Sequence, residues 1–371
     1  MALLPSFQKI KTIPFFQSLR LVPFVFSRFR CFPPALVDIE LTNRCDLHCK
    51  MCWLYGDCSI GDNYQGLELS TDEVFSLIDQ VSKHKPQIYI GGAEPLFRED
   101  LFIILEYVKR HDLVVSFTTN GTLFDQRKIE MLVTFGIDHV TFSIDGDEKL
   151  HDQIRGEGIF QKVTSAIKGL SEYKKRRSSS KPVIVVNFTV TTDITNHVSE
   201  AIDAAKEATH DGADIYRVHH LWYITSKELS AHQSAVRQSL GCKAAGAGSH
   251  LITGSQGIGP HSLADEISLL KGQPRVTSFP DLPWHEIVNY YSESKSMKGR
   301  CTAPFFKVVI KPNGDVKFCP DEWIDDFVLG NIRHDRFDTI WNNDRARLFR
   351  KVLFKNKCFT GCRRCSWMYA C

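Results

Sequence analysis

The feature that most constrains the fold of this chain is the alternation of short apolar runs with amphipathic stretches between residues 35 and 220. The apolar runs have the length and composition of buried strands, and they are Ala35–Leu41, Gln87–Ile90, Leu113–Thr118, His139–Ile144, Pro182–Val190 and Asp214–His219. Strands that alternate with helices pair in parallel through right-handed crossovers. The sequence therefore predicts an α/β fold whose main domain, residues 35–225, is a partial (βα)6 TIM-type barrel rather than a complete eight-unit barrel.

Helix signals fill the intervals between these runs. Ser70 and Glu73 fit a capping box, in which each side chain binds the other residue's backbone amide. Apolar residues then recur at helical spacing, at Val74, Leu77, Ile78 and Val81. The same spacing predicts helices over Leu101–Val108, Lys128–Val133 and Phe160–Leu170. The basic, serine-rich run 174–181 is typical of a solvated loop before a strand.

Length and charge exclude several classes of protein. With 371 residues, of which 43% are hydrophobic, the chain can bury a full core without disulfide bonds. Its net charge of +3 is too small for a dedicated nucleic-acid-binding protein, so no nucleic-acid partner is expected. No apolar run reaches the roughly 18 residues that a membrane helix needs, and no secretory signal is evident. These features favour a cytoplasmic protein.

The basic charge is concentrated in the N-terminal segment, residues 1–34. Residues 1–37 contain five Lys or Arg and no acidic residue, so the rest of the chain carries a net charge of −2. The segment is also rich in Phe, and Pro5, Pro14 and Pro23 break any single long helix. Two interpretations stay open: a transit peptide or interfacial helix in peripheral contact with a membrane, and an amphipathic segment packed on the main domain.

The strongest chemical signal is a group of three cysteines directly after the first predicted strand. Cys45, Cys49 and Cys52 lie within eight residues, in a C-x3-C-x2-C pattern. Loops at the carboxyl ends of barrel strands carry the active sites of such folds. Three thiolates can bind three irons of a [4Fe–4S] cluster, which normally takes four cysteines, so the fourth iron would stay open to a ligand. The alternative is a zinc site completed by His48 or Cys58.

Together with later short motifs, this group resembles the signature of the radical SAM superfamily. The first strand end and loop, Glu40–Arg44, are similar to that family's. Four later segments also resemble family motifs, and they are Gly91-Gly92-Ala93-Glu94-Pro95-Leu96, Thr119-Asn120-Gly121, Ser143-Ile144-Asp145-Gly146 and His151-Asp152-Gln153-Ile154-Arg155-Gly156. The first of these departs mildly from the family's GGEP through the inserted Ala93. The resemblance covers residues 35–225.

The resemblance implies an activity and a set of site residues. It implies that Cys45, Cys49 and Cys52 hold a catalytic [4Fe–4S] cluster that binds S-adenosylmethionine (SAM). Reductive cleavage of SAM would give a 5′-deoxyadenosyl radical, which takes a hydrogen atom from the substrate. The residues that it places around SAM are Gly91, Gly92, Ala93, Glu94, Asn120, Ser143, Arg155 and Asn187. Among them Arg155 would bind the SAM carboxylate through its guanidinium fork, and Asn187 the ribose.

Residues 301–371 form a second cysteine-rich region, which a connecting or substrate-lid region, residues 226–300, separates from the barrel. Cys301 and Cys319 flank an Asn-Gly turn. That turn predicts a β-hairpin between the apolar runs Phe305–Ile310 and Val316–Phe318. The later cysteines are Cys358, Cys362, Cys365 and Cys371. This spacing resembles the SPASM/twitch extension of radical SAM enzymes, a small auxiliary iron–sulfur domain.

The cysteine count limits how many auxiliary clusters the region can hold. Six thiols cannot fully ligate two four-iron clusters, so one auxiliary [4Fe–4S] cluster is favoured, and a second, incompletely ligated one stays open. The preferred ligands are Cys301, Cys319, Cys362 and Cys365, with Cys371 as the first reserve and Cys358 as the second. A zinc ribbon on the four preferred cysteines is the alternative.

The resemblance as a whole implies a radical SAM oxidoreductase or tailoring enzyme with an electron donor such as flavodoxin or ferredoxin as its partner. A small-molecule substrate, such as a sugar, an aminocyclitol or a lipid precursor, is preferred. Many peptide maturases carry a leader-binding domain ahead of the barrel, and only 34 residues precede the first strand here. The alternative is a maturase that oxidises, epimerises or crosslinks a ribosomal peptide. A non-catalytic iron–sulfur or zinc regulator is disfavoured by the SAM-type motifs. The candidate substrate contacts are His219, His220, Trp222, Tyr223, Tyr290 and Tyr291.

Overall fold

The computed structural model describes residues 27–56, 68–252, 259–292, 299–320 and 322–369. Its strands are β1 (Leu36–Thr42), β2 (Gln87–Gly92), β3 (Val115–Thr119), β4 (His139–Ser143), β5 (Val183–Val190), β6 (Ile215–His220), β7 (Val276–Phe279), β8 (Lys307–Ile310), β9 (Asp315–Lys317) and β10 (Gly330–Asn331). Its α-helices are α1 (Thr71–Ser82), α2 (Leu101–Arg110), α3 (Gln126–Thr134), α4 (Glu148–Arg155), α5 (Ile159–Arg176), α6 (Val198–Ala208), α7 (Ser226–Leu240), α8 (Pro260–Leu270), α9 (Trp284–Tyr291), α10 (Phe337–Trp341) and α11 (Asp344–Asn356). The expectations for residues 1–26, Cys58 and Cys371 lie outside the described residues.

Within these residues the strands form one sheet, in the order β10-β9-β8-β1-β2-β3-β4-β5-β6-β7. Strands β1 to β6 are the six predicted strands, and each pairs in parallel with the next. In the described part of the chain, β7 and β10 form the two edges, so the sheet does not close on itself. The prediction of an α/β fold with a partial barrel is confirmed.

Four strands extend this sheet beyond the six predicted ones, β7 at one end and β8 to β10 at the other. β7 comes from the region predicted to connect the domains or cover the substrate, and it pairs in parallel with β6. β8 pairs in parallel with β1, with Val37 opposite Val308, and it forms the predicted hairpin with β9. The cysteine-rich C-terminal region is therefore built onto the first strand of the barrel.

Helix α1 begins at the predicted capping box, which satisfies free backbone amides at the helix start. At the start of α1 the Ser70 hydroxyl accepts a bond from the Glu73 amide at 3.2 Å, and the Glu73 carboxylate accepts one from the Ser70 amide at 2.8 Å. The predicted apolar face of α1 is buried, and its residues are Val74, Leu77, Ile78 and Val81. No helix of the described residues is long and apolar enough to cross a lipid bilayer.

The prediction of a loop over 174–181 is wrong for its first three residues. They form the last turn of α5, where positive charge complements the partial negative charge of the helix end. Lys174 is buried, and its ammonium lies 2.7 Å from the Asp214 carboxylate. Tertiary pairing and the helix dipole thus extend the helix into a basic run.

Buried ion pairs fasten β8 to β1 inside the barrel. The Lys307 ammonium lies 3.0 Å from the Asp38 carboxylate. The Lys311 ammonium pairs with Glu40 and also lies 2.8 Å from the Glu322 carboxylate. Burial raises the pKa of Glu40, whereas Lys311 acts in the opposite direction. The barrel interior is therefore charged, and its carboxylates already have cationic partners.

Candidate active site

The loop after β1 carries the three clustered cysteines at the carboxyl end of the parallel strands. It folds back on itself, because the Cys52 amide donates to the Cys49 carbonyl at 3.0 Å and the Gly56 amide donates to the Cys52 carbonyl at 2.7 Å. A side chain at Gly56 would not fit, since its Cβ would lie 2.4 Å from the Lys50 carbonyl oxygen. The tight turn holds the second and third cysteines close together.

One side chain from the end of β3 and one from the last residue of α4 reach the cysteine sulfurs. The Asn120 side-chain amide lies 3.8 Å from Cys45 Sγ, and the Arg155 guanidinium lies 3.8 Å from Cys49 Sγ. Both groups can donate to a thiolate. Burial nevertheless raises the pKa of Cys45 to about 12, and it also raises the pKa of Cys49. The free thiols of Cys45 and Cys49 therefore stay protonated at neutral pH, and their binding to a metal cluster would release protons.

Asp46 is a contributor that the motifs did not reveal. Its carboxylate accepts a bond from the Asn120 side-chain amide at 2.8 Å and one from the Thr122 hydroxyl at 2.5 Å. These bonds tie the cysteine loop to the end of β3. An acidic residue directly after the first cysteine was the available signal, but its partners lie more than 70 residues away in sequence.

Glu94 is buried and joins the ends of β2 and β3. Its Oε1 accepts bonds from the Leu96 amide at 3.0 Å and the Thr119 hydroxyl at 2.9 Å, and its Oε2 accepts one from the Asn120 amide at 2.7 Å. Burial raises the pKa of Glu94 to about 7, although the three donors act in the opposite direction. Glu94 is a predicted SAM contact, but in this structure both of its carboxylate oxygens hold the loop after β3, whose Asn120 reaches Cys45.

The glycines at the end of β2 allow its backbone to approach β1 closely. Gly92 has a φ of +105°, and a Cβ there would lie 2.3 Å from the Thr42 carbonyl oxygen. The Ala93 amide donates to the same oxygen at 2.9 Å. At Gly91 a Cβ would lie 3.1 Å from a carboxylate oxygen of Asp38. The glycines of the predicted motif therefore allow the end of β2 to lie directly against the start of the cysteine loop.

Arg155 is held by a buried carboxylate at the end of β4. Asp145 Oδ2 accepts a bond from Arg155 Nε at 2.6 Å, and Asp145 Oδ1 accepts one from the Thr189 amide at 2.8 Å. The Asp145 amide donates to His151 Nδ1 at 3.0 Å. Burial lowers the pKa of His151 to about 3, so its ring is neutral and carries its proton on Nε2. The network aims the guanidinium at Cys49.

Ser143 and Asn187 lie side by side on neighbouring strands. They are register partners in β4 and β5, so their side chains point to the same face of the sheet. The Asn187 side-chain oxygen is buried and has no hydrogen-bond partner among the described residues. An unpaired buried acceptor costs free energy, so this position suits a ligand hydroxyl. The predicted ribose contact is compatible with this geometry.

The C-terminal thiols form a second group. Its members in the described residues are Cys301, Cys319, Cys358, Cys362 and Cys365, which interact electrostatically through Cys362. Burial raises the pKa of Cys319 and of Cys362. The Cys301 amide donates to the Lys357 carbonyl at 2.9 Å, which brings Cys358 beside Cys301. The structure thus places one of the two reserve ligands with the four preferred ones.

The two donor sets have the chemistry of iron–sulfur sites. In the described part of the chain, no group of three His, Cys, Asp or Glu residues could hold a single metal ion. In an iron–sulfur cluster the cysteines bind several irons instead of converging on one ion. Soft thiolate donors are the ligands that such clusters take. The residues present therefore fit a SAM-binding cluster in the first loop and an auxiliary cluster in the C-terminal region.

The aromatic residues offered as substrate contacts mostly join the barrel to the C-terminal region. The Trp222 indole donates to the Ser366 hydroxyl at 2.8 Å, and the Tyr290 hydroxyl donates to the Arg364 carbonyl at 2.5 Å. His220 Nδ1 and the Tyr291 hydroxyl lie 2.9 Å apart and are buried. These contacts show that the aromatic residues pack between the barrel and the regions that follow it.

Comparison with protein families identifies two domains. Residues 39–207 match the model of the radical SAM superfamily, and residues 301–366 match that of the SPASM iron–sulfur cluster-binding domain. The first match contains Cys45, Cys49 and Cys52, and the second contains the thiol group described above.

Curated relatives fall into two sets by coverage. The AdoMet-dependent heme synthase of Methanosarcina barkeri is 34% identical over 50% of this chain and 50% of its own length. This chain thus spans about half of that relative. The mycofactocin maturase MftC of Mycobacterium ulcerans is 28% identical over 86% of this chain and 77% of its own length.

A solved structure shares the fold along nearly the whole chain. Streptococcus suis SuiB bound to the precursor peptide SuiA aligns with a TM-score of 0.61 and 15% sequence identity. The alignment covers 97% of this chain and 76% of that protein. At this identity the likeness shows a common fold.

Proposed function

Because the chain is a radical SAM enzyme with a C-terminal SPASM domain, we propose that it is a maturase that modifies a peptide substrate. The observation that carries the proposal is that the match to the mycofactocin maturase includes both domains of this chain. That match reaches 86% of this chain, so it includes both the barrel and cysteine-rich C-terminal residues. The heme synthase match reaches only 50% of the chain.

The proposal replaces the preference for a small-molecule substrate with the alternative of a peptide. That preference depended on the number of residues before the first strand. A separately encoded leader-binding protein removes that objection. The structural likeness to SuiB in complex with its precursor peptide is compatible with a peptide at the open end of this barrel, although it supports the fold alone.

The residues of this chain would bind, orient and shield the reacting groups. Cys45, Cys49 and Cys52 would hold the SAM-binding cluster, and the C-terminal thiols would hold the auxiliary one. When bound, the reduced cluster and SAM supply a 5′-deoxyadenosyl radical that removes a hydrogen atom from an unactivated C–H bond. Asn120 and Arg155 would donate to the cysteine sulfurs, and Asn187 would accept a bond from the ribose.

The experiment that tests this function uses the anaerobically reconstituted enzyme with SAM and dithionite. Synthetic peptides encoded by short reading frames next to the gene are supplied one at a time, and 5′-deoxyadenosine and peptide mass are measured. We expect one peptide to raise 5′-deoxyadenosine formation and to change mass in step with it. The inactive control is the Cys45→Ala variant, which lacks one cluster ligand.

A different outcome of the same assay would contradict the peptide proposal. If a metabolite fraction of low molecular mass raises 5′-deoxyadenosine formation and is itself consumed, while every peptide is inert, the enzyme acts on a small molecule. The peptide proposal then fails, although the radical SAM assignment stands.

A further inference from the structure

Strand β6 places an arginine inside the barrel. Tyr216 points outward, because its hydroxyl donates to Asp211 at 2.9 Å and the cationic groups of Lys206 and Arg275 lie over its ring. Successive side chains of a strand point to opposite faces. Arg217 therefore points inward, towards the face of the sheet that carries the charged interior. Its side chain is half-buried.

Arg217 belongs to a row of polar residues that crosses four strands. Ser143 of β4 is the register partner of Asn187 of β5, Asn187 pairs with Arg217 of β6, and Arg217 pairs with Thr277 of β7. Register partners in a parallel sheet present their side chains on the same face. The side-chain oxygens of Asn187 and Thr277 are buried and lack hydrogen-bond partners among the described residues. The row thus offers unpaired polar atoms on both sides of the arginine.

The guanidinium of Arg217 has no anionic partner within the described residues. It makes no hydrogen bond or ion pair there, and the interior carboxylates of Asp38 and Glu40 are taken by Lys307 and Lys311. The titratable groups near Arg217 are Tyr89, His139 and His219. Burial lowers the pKa of Arg217 to about 10, so the group remains protonated at neutral pH. A half-buried cation without an anionic partner has lost part of its hydration, and a ligand carboxylate would offset that loss.

We infer that Arg217 binds a carboxylate of the substrate, with the Thr277 hydroxyl as a flanking hydrogen-bond donor. This inference rests on the proposed peptide substrate, whose anionic groups are Asp and Glu side chains and the C-terminal carboxylate. A guanidinium fork pairs with a carboxylate in a bidentate manner, which fixes orientation as well as position. Because the row begins at Ser143, a predicted SAM contact, such a carboxylate would anchor the substrate near the reacting end of SAM.

A second source of the same chemistry is the carboxylate of SAM itself. Arg155 is the predicted partner of that group and lies 3.8 Å from Cys49 Sγ, which leaves Arg217 for another anion. The test must therefore measure SAM affinity as well as substrate preference.

The test uses the reconstituted full-length enzyme with SAM and two pools of N-acetylated, C-amidated hexapeptides. The pools are identical except that one contains Glu where the other contains Gln. Bound peptides are separated by anaerobic ultrafiltration and quantified by mass spectrometry. The same comparison with succinate and succinamide replaces the peptides with small molecules. Since a charge-assisted pair adds about 1.5–3 kcal/mol, we expect roughly tenfold or greater preference for the acidic member.

The matched variants are Arg217→Gln, Arg217→Lys and the exposed-arginine control Arg177→Gln. The preference for the acidic member should vanish in Arg217→Gln, persist in part in Arg217→Lys and be unchanged in Arg177→Gln. If Arg217→Gln fails to fold, the wild-type preference and the Arg217→Lys variant decide the question.

Three results would overturn the inference. The wild-type enzyme could show no preference for Glu over Gln and none for succinate over succinamide. The preference could survive in Arg217→Gln. Arg217→Gln could weaken SAM binding tenfold or more, in which case the anion is the SAM carboxylate. If succinate binds in an Arg217-dependent way while no peptide does, the carboxylate site stands and the peptide proposal fails.

Discussion

At the carboxyl ends of the strands, buried polar side chains hold the predicted ligand-binding residues in position. Each does so through hydrogen bonds to a neighbouring residue. Glu94 fixes the Asn120 backbone, and Asp145 fixes Arg155. His151 accepts a bond from the Asp145 amide and so must be neutral for the network to persist. The position of each sulfur-contacting donor therefore depends on a buried group behind it.

The neutral state of His151 predicts a pH dependence of stability. Burial lowers its pKa in the folded protein from 6.5 to about 3, so the unfolded chain binds more protons between these values. The free energy of unfolding should therefore fall as pH drops below about 6.5, by up to about 1.4 kcal/mol per pH unit from this group. Anaerobic urea unfolding between pH 7.5 and 5.5 measures the slope.

Two variants isolate that contribution. His151→Asn should give a shallower slope than the wild type, because Asn can accept the Asp145 amide bond without titrating. His334→Asn, at an exposed position, should leave the slope unchanged. An equal slope in His151→Asn and the wild type would contradict the role given to His151.

At the scale of elements, the close approach of β2 to β1 brings the cysteine loop to the other strand ends. Gly92→Ala should destabilise the protein by about 2–4 kcal/mol, because the new methyl group would meet the Thr42 carbonyl oxygen in addition to the cost of its positive φ. Gly136→Ala is the matched control, since its φ is +66° and a Cβ there meets no atom within 4 Å. It should cost about 1–2 kcal/mol.

Urea unfolding and the iron content after reconstitution measure both glycine variants. Gly92→Ala should also lose iron from the first loop, whereas Gly136→Ala should retain it. Equal losses of stability in the two variants would show that the contact between β2 and β1 is not decisive.

The buried ion pairs between β1 and the residues around β8 lead to a second prediction at this scale. Lys311→Met would leave Glu40 and Glu322 buried without their shared cation, and we expect a loss of about 3–5 kcal/mol in the free energy of unfolding. Lys83→Met removes an exposed ion pair with Asp338 and should cost about 1 kcal/mol or less. Comparable losses in urea unfolding would mean that the buried network does not hold the two strands together.

At the scale of the whole molecule, the local patterns predicted the elements better than their long-range pairing. Alternation and capping located β1 to β6 and α1, because those signals lie within one segment. Strand β7 was missed, since Val276–Phe279 is too short to show a period. The pairing of β8 with β1 joins residues about 270 positions apart, and no local pattern encodes it.

The same limit applied to the candidate site. The cysteine spacing and the later motifs predicted Cys45, Asn120 and Arg155 as site residues, and the structure places Asn120 and Arg155 beside the cysteine loop. Asp46 and Asp145 were missed as partners because hydrogen-bond networks depend on the folded arrangement. The motifs also could not decide between a peptide and a small-molecule substrate. They reflect the radical chemistry that these enzymes share, and not the substrate.

The most direct test of the account is 5′-deoxyadenosine formation by a reconstituted variant in which Cys45, Cys49 and Cys52 are all replaced by Ala. We predict no 5′-deoxyadenosine with SAM and dithionite, while about four irons remain on the C-terminal thiols. The control Cys242→Ala, outside both thiol groups, should cleave SAM as the wild type does. Cleavage at the wild-type rate by the triple variant would contradict the central claim that these three cysteines hold the catalytic cluster.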